Sequence, residues 1–321
     1  MLRPPAAARA AGATAVLLAA LGGCGGGGGG ASGSTPGDEA RAAAARPPAL
    51  CAAPPRMQLT GRVANPGAVE LSGLVVSRAR RGVLWALNDS GNRPALFAFA
   101  STGRSIAEVT VAGAQNTDWE DIANGRTGSL LVGDIGDNLG ERPSITVLKV
   151  PEPAAVAGGA TAAVDIAPTA RYELRYADGP RDAETLLFDP TNGSIVIVAK
   201  SFGPPGGIYA ARRPSSRAVT TLRRTGTLKL DDGEAVTAGD VSADGRTIVL
   251  RTYDRAFAWR RRTGETVDAA LRRRPCVIDV GLLGEIQGEA LALTPDGRAF
   301  QTVPEGRRPA LRRYESSADV S

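Results

Sequence analysis

One short run recurs five times in this chain, at spacings that leave few folds open to it. The five copies are Glu70-Leu-Ser72-Gly-Leu74, Asp118-Trp-Glu120-Asp-Ile122, Asp182-Ala-Glu184-Thr-Leu186, Ala235-Val-Thr237-Ala-Gly239 and Gln287-Gly-Glu289-Ala-Leu291. In register, their central residues are Ser72, Glu120, Glu184, Thr237 and Glu289, spaced 48, 64, 53 and 52 residues apart. A period near fifty residues, each copy opening short strands and hairpin turns, predicts a β-propeller. A polar residue at the same point of every innermost strand brings five oxygen ligands to one axis. Three carboxylates gathered there repel one another unless a cation lies among them. Carboxylate, hydroxyl and water oxygens suit calcium, whereas zinc asks for nitrogen or sulfur. The expectation is a central calcium ion held by these five residues.

Each repeat divides into four strand-sized pieces. The turns Asp189-Pro-Thr-Asn-Gly193, Ala243-Asp-Gly245 and Pro295-Asp-Gly297 suit tight hairpins, because Gly and Asn accept positive φ. The fifth repeat ends one strand short, and Met57–Val63 is a spare strand ahead of the first. An N-terminal strand that completes the last blade would close the ring and remove its open edge. The predicted fold is all-β: a five-bladed propeller of four-stranded antiparallel blades. A six-bladed alternative needs a further blade inside the long stretch Pro151–Arg171.

The first fifty residues have another character. Arg3 and Arg9 precede the apolar stretch Ala10–Leu21, then Leu21-Gly-Gly-Cys24. This resembles a bacterial lipoprotein signal, which implies removal of residues 1–23 and a lipid on Cys24. The Gly-, Ala- and Pro-rich residues 24–50 read as a flexible tether, and residues 51–321 as the propeller domain. Export to the cell surface or periplasm is expected, with plain secretion as the alternative, and the membrane is met through the lipid. Export makes a disulfide between the other two cysteines, Cys51 and Cys276, possible.

The formal charge is +5, and the short Arg clusters are not interleaved with stacking aromatics, so no nucleic acid is expected as a partner. The domain reads as a monomer. There is no histidine. That removes Ser-His-Asp and Cys-His catalysis, and any chemistry must run on carboxylates, Lys, Arg, Tyr, hydroxyls or an oxygen-held metal.

Each hairpin returns the end of its second strand beside the ring position. Asp89, Asp134, Lys200, Arg251 and Glu305 should therefore share one face with Glu70, Asp118, Asp182 and Gln287. The ordered ring set resembles that of the calcium-activated nucleotidase (apyrase) family. In that family, a five-bladed propeller holds its central calcium by Ser, Glu, Glu, Ser and Glu; Thr237 keeps the second hydroxyl. The resemblance implies calcium at Ser72, Glu120, Glu184, Thr237 and Glu289. The family's Asp-Asp-Arg-Thr-Gly stretch corresponds to Asn88-Asp89-Ser90-Gly91-Asn92, which lacks the arginine.

Three functions are compatible with this pattern. The first is an exported, lipid-anchored propeller that presents an acidic rim to a small ligand or surface partner. The second is a calcium-dependent phosphoester or nucleotide hydrolase, with Asp89, Asp134 and Glu305 as candidate bases and Lys200, Arg251 and Trp119 as candidate ligand contacts. The third is a structural surface lipoprotein. The loop Gly133-Asp134-Ile-Gly-Asp137-Asn138 is either a second cation loop or a self-capped turn.

Overall fold

The computed structural model describes residues 47–153, 163–282 and 284–317. The signal segment, Cys24 and most of the expected tether lie outside them. The chain is all-β, with 21 strands and almost no helix among the described residues.

The strands fall into five antiparallel units. After β1 (Arg56–Arg62) comes the first, β2 (Leu71–Val76), β3 (Val83–Asn88), β4 (Ala95–Ala100) and β5 (Ser105–Val111). The second is β6 (Trp119–Asn124), β7 (Ser129–Asp134) and β8 (Ile145–Pro151), joined by β10 (Ala170–Tyr176). Between them in sequence, β9 (Ala163–Ile166) pairs in parallel with β5 as an edge of the first unit. The third is β11 (Ala183–Phe188), β12 (Ser194–Ala199), β13 (Gly207–Arg212) and β14 (Thr220–Thr227). The fourth is β15 (Val236–Val241), β16 (Thr247–Thr252), β17 (Ala256–Arg260) and β18 (Cys276–Ile278), with the short helix α1 (Val267–Leu271) before its last strand. The fifth is β19 (Gly288–Leu293), β20 (Ala299–Pro304) and β21 (Ala310–Glu315), completed by β1 against β21.

A parallel pairing of β10 with β14 fuses the second and third units into one eight-stranded sheet. Its end strands β6 and β11 also touch, so this sheet is barrel-like and nearly closed. Sequence periodicity does not announce such edge-to-edge fusion, nor β9. The described part of the Pro151–Arg171 stretch supplies edge strands to existing units; residues 154–162 lie outside the description.

Burial follows distance from the first strand of each unit. β6, β15 and β19 are buried on both faces, whereas β10 alternates more and less buried positions and β14 buries only Leu222. Apolar residues fill the gaps between consecutive units. Trp85, Leu130 and Val150 join the first to the second, Leu186 and Ile145 the second to the third, and Trp259 and Val198 the third to the fourth. Ile278 and Phe300 join the fourth to the fifth, and Leu84 and Val303 return the fifth to the first. Each large apolar side chain removed from water there contributes about 1.5–3 kcal/mol. The hairpin turn at Gly297 has φ +70°, a conformation that costs an L side chain but not glycine.

Leu50, placed in the tether by composition, is fully buried in the cluster with Ile278 and Phe300. The Ser316 hydroxyl donates to Ala49 O at 2.8 Å, and Cys51 is disulfide-bonded to Cys276 with 6.2 Å between Cα atoms. The N-terminal lead-in is therefore fastened to the outer strand of the fourth unit. A bridge across 225 residues restricts the unfolded chain strongly. The Cys51→Ser, Cys276→Ser double variant is expected to lose about 2–4 kcal/mol in urea unfolding.

Candidate metal centre

The first strand of each unit carries one irregularity, and it falls at the same place every time. Strand register shifts between Leu71 and Gly73, Trp119 and Asp121, Ala183 and Thr185, Val236 and Ala238, and Gly288 and Ala290. The extra residue of each β-bulge is thus Ser72, Glu120, Glu184, Thr237 or Glu289. A bulge re-aims one side chain out of the pleat, and bulges concentrate beside functional sites. The five strands that carry them neighbour one another in chain order, and β19 returns to β2. All five residues are buried.

The two hydroxyls behave alike. Ser72 Oγ donates to Trp119 O, and Thr237 Oγ1 donates to Gly288 O, each at 3.0 Å. Each thus holds the carbonyl that precedes the next strand's glutamate, and its oxygen keeps lone pairs for a further partner. Two buried acids tie the same strands together. Asp121 accepts from Leu186 N on β11, and Asp240 accepts from Leu293 N on β19, at 2.8 and 2.9 Å.

Carboxylate oxygens of Asp89, Asp118 and Glu120 lie within 4.8 Å of one another, an arrangement able to hold a metal ion. Burial, followed by the neighbouring charges of Asp89, Asp118, Glu289 and Asp182, pushes Glu120 up to about 10. Asp118 rises to about 6 through burial and the charges of Asp89 and Asp182, opposed by Arg142. Burial also raises Asp89, against a hydrogen bond from Ser90 N. Glu305 rises to about 8 through burial and its bond to Glu289.

The remaining glutamates lean on partners. Glu184 pairs with Lys200, whose Nζ lies 5.5 and 5.6 Å from the Phe202 and Tyr253 rings. Tyr253 OH donates to Glu289 Oε1 at 3.0 Å. Glu184 Oε2 is buried with no hydrogen-bond partner among the described residues. Such an atom is costly unless something charged or polar meets it. Gly136 closes the cluster from the side: a Cβ there would overlap Asp118 Oδ2 and Glu120 Oε1. The oxygen-only donors of Asp89, Asp118 and Glu120 fit a hard cation; of the five bulge residues, only Glu120 belongs to that group of three.

Other candidates are placed differently. Asp134 is paired with Arg142 at 2.7 Å and accepts from Asp118 N, so it is not a free base. Asp137 accepts from Glu141 N and Arg142 N, so the Gly133–Asn138 loop caps itself. Trp119 is fully buried and donates to Gln115 O; it has no open ring face for a ligand. Arg251 is fully buried against Glu285 at 2.8 Å and cannot meet a phosphate in solvent. Asp89 and Glu305 are half-buried at the mouth. Tyr253 and Gly136 carry no motif and were not legible as site residues. Asp118 was legible only as the acid two residues before the ring position.

No family model matches the chain, and no curated protein is similar to it. Among solved structures, it is similar to a putative 6-phosphogluconolactonase from Bacteroides uniformis (12% identity, TM-score 0.41, 78% of this chain and 72% of that one). It is also similar to hydrazine synthase from Kuenenia stuttgartiensis (9% identity, TM-score 0.41, with 78% and 72% covered). Likenesses this distant carry no argument about activity.

Proposed function

We propose that this chain is a five-bladed β-propeller that holds one calcium ion on its axis and uses the surrounding acidic face to bind a small ligand or surface partner. The observation that carries the reading is the coincidence of five β-bulges with Ser72, Glu120, Glu184, Thr237 and Glu289. These residues would hold the ion, with Asp89 and Asp118 beside it. The ion would neutralise the clustered carboxylates and cross-link strands from five units. On this reading the likeness to the calcium-activated nucleotidase family extends to fold and cation.

Binding is favoured over hydrolysis because the cations near the acidic mouth are engaged. Lys200 is held by Glu184, Arg142 by Asp134 and Arg251 by Glu285, which leaves none of these three to clamp a phosphoryl group. Export and a lipid anchor at Cys24 belong to the same proposal, and the Cys51–Cys276 bridge suits an oxidising compartment. A Cys24→Ser variant should leave the membrane fraction.

The test pairs turnover with binding. Purified protein with ATP and ADP should release no phosphate, with or without calcium, while calcium raises its melting temperature. Gly136→Ala should weaken calcium at least about tenfold, because a misplaced ligand set loses most of its affinity. Phosphate release that requires both calcium and Asp89 would overturn the binding reading in favour of the hydrolase.

A further inference from the structure

At the far end of β6 from the acids, cations gather beside a cleft. A cleft of about 420 Å³ opens between the second and third units, where the β6–β7 and β11–β12 turns and the residues after β13 meet. It lies at Gly125 and beyond, five residues along β6 from Glu120, or about 16 Å at strand rise. The two sites are therefore separate.

Three cations line this cleft: Arg126, Lys149 and Arg213, and no Asp or Glu lines it. None of the three makes a side-chain ion pair or hydrogen bond among the described residues, whereas Arg93, Arg142, Arg261 and Arg273 each pair with an acid. Asp189 begins the turn that forms one wall, but its carboxylate is spent. It pairs with Arg261 at 2.8 Å and accepts from Thr191, Asn192 and Val267 N. These bonds hold it below the usual carboxylate range despite burial. It does not cancel the charge of the cleft.

The walls are apolar and aromatic, with half-buried Tyr172 and Phe188 and buried Leu131. Gly193, at φ +79°, turns the chain beside the Arg126 guanidinium, whose Nη2 a Cβ there would meet in ordinary contact at 3.4 Å. Like charges that converge on one concave surface raise a potential that a bound anion relieves. Two guanidinium forks and an ammonium match a dianion better than a single carboxylate. A cleft of this size also has room for an apolar body against the rings.

We infer that this cleft is a binding site for an organic phosphate monoester, with the phosphate held by Arg126, Lys149 and Arg213 and its apolar part against Tyr172 and Phe188. The site does not depend on the calcium reading.

Calorimetric titration tests it, with chelator present so that the acidic site is silent. Phenyl phosphate is the soluble probe, and phosphatidylcholine vesicles carrying phosphatidic acid are the lipid-borne probe. Phenyl phosphate should bind at one site, more tightly than inorganic phosphate, and weaken as salt rises. The Arg126→Ala, Arg213→Ala double variant should weaken it at least about tenfold with an unchanged melting temperature, since both side chains are exposed. Binding to vesicles through the same residues would give the same site a lipid source. Failure of both probes, or binding that the double variant leaves intact, overturns the assignment.

Discussion

Replacing Arg251 by methionine is expected to cost about 3–5 kcal/mol of folding stability, a larger loss than any surface arginine would give. The side chain is fully buried under Gly288, where its guanidinium donates to Glu285 Oε2 at 2.8 Å and to the carbonyls of Thr252 and Tyr253. Glu285, also buried, takes Arg312 at 3.1 Å and the Thr302 hydroxyl. Removing Arg251 leaves a buried carboxylate short of its main partner and several carbonyls unmet. The Arg251→Met, Glu285→Met double variant should recover part of the loss, because it leaves no buried charge unpaired between the two positions, while the Thr252 and Tyr253 carbonyls, Thr302 and Arg312 still lose their partners. Urea unfolding of the two variants measures it. If Arg251→Met were neutral, the guanidinium would be reaching solvent or another partner.

The second large effect is the dependence of stability on pH and calcium. Asp118, Glu305 and Glu120 have folded pKa values of about 6, about 8 and about 10, above their ordinary values of 3.8, 4.5 and 4.5. An acid whose folded pKa is raised contributes stability that is complete below its unfolded pKa and is lost as pH climbs through the folded one. The calcium-free protein should therefore be most stable near pH 4–5. It should lose stability progressively up to about pH 10, by several degrees of melting temperature. Calcium reverses the trend, because it binds the ionised carboxylates and displaces their protons. At a thousandfold excess over its Kd it should return about 4 kcal/mol, and its affinity should rise with pH. Thermal melts at pH 5 and pH 8.5, with calcium or chelator, read both effects. A calcium-free melting temperature that rises between those two pH values would contradict the carboxylate cluster.

The sequence register was informative because bulge and spacing share a cause. The bulge falls at one fixed point of the first strand of every unit, so Ser72, Glu120, Glu184, Thr237 and Glu289 stand out of otherwise apolar runs. The pairing of β1 with β21 was likewise legible, because a spare strand and a missing one match. What stayed hidden depends on contacts between units. The β10–β14 pairing joins two mostly exposed or half-buried edges that carry no signal of a partner in another unit. Arg251 reads as a rim cation until Glu285, 34 residues later, is seen beside it. Trp119 borders Glu120, but adjacent strand residues face opposite ways, and its ring goes to the core. The cleft at Arg126, Lys149 and Arg213 gathers residues from three elements and has no linear signature.

Calcium titration of chelator-stripped protein by calorimetry, repeated on Glu120→Gln, Glu184→Gln and Glu289→Gln, addresses most directly whether separate strands share one ion. One site per chain is expected, weakened at least about tenfold by each of the three substitutions. A stripped protein that takes up no calcium, or a site indifferent to Glu184 and Glu289, would contradict a shared axial ion.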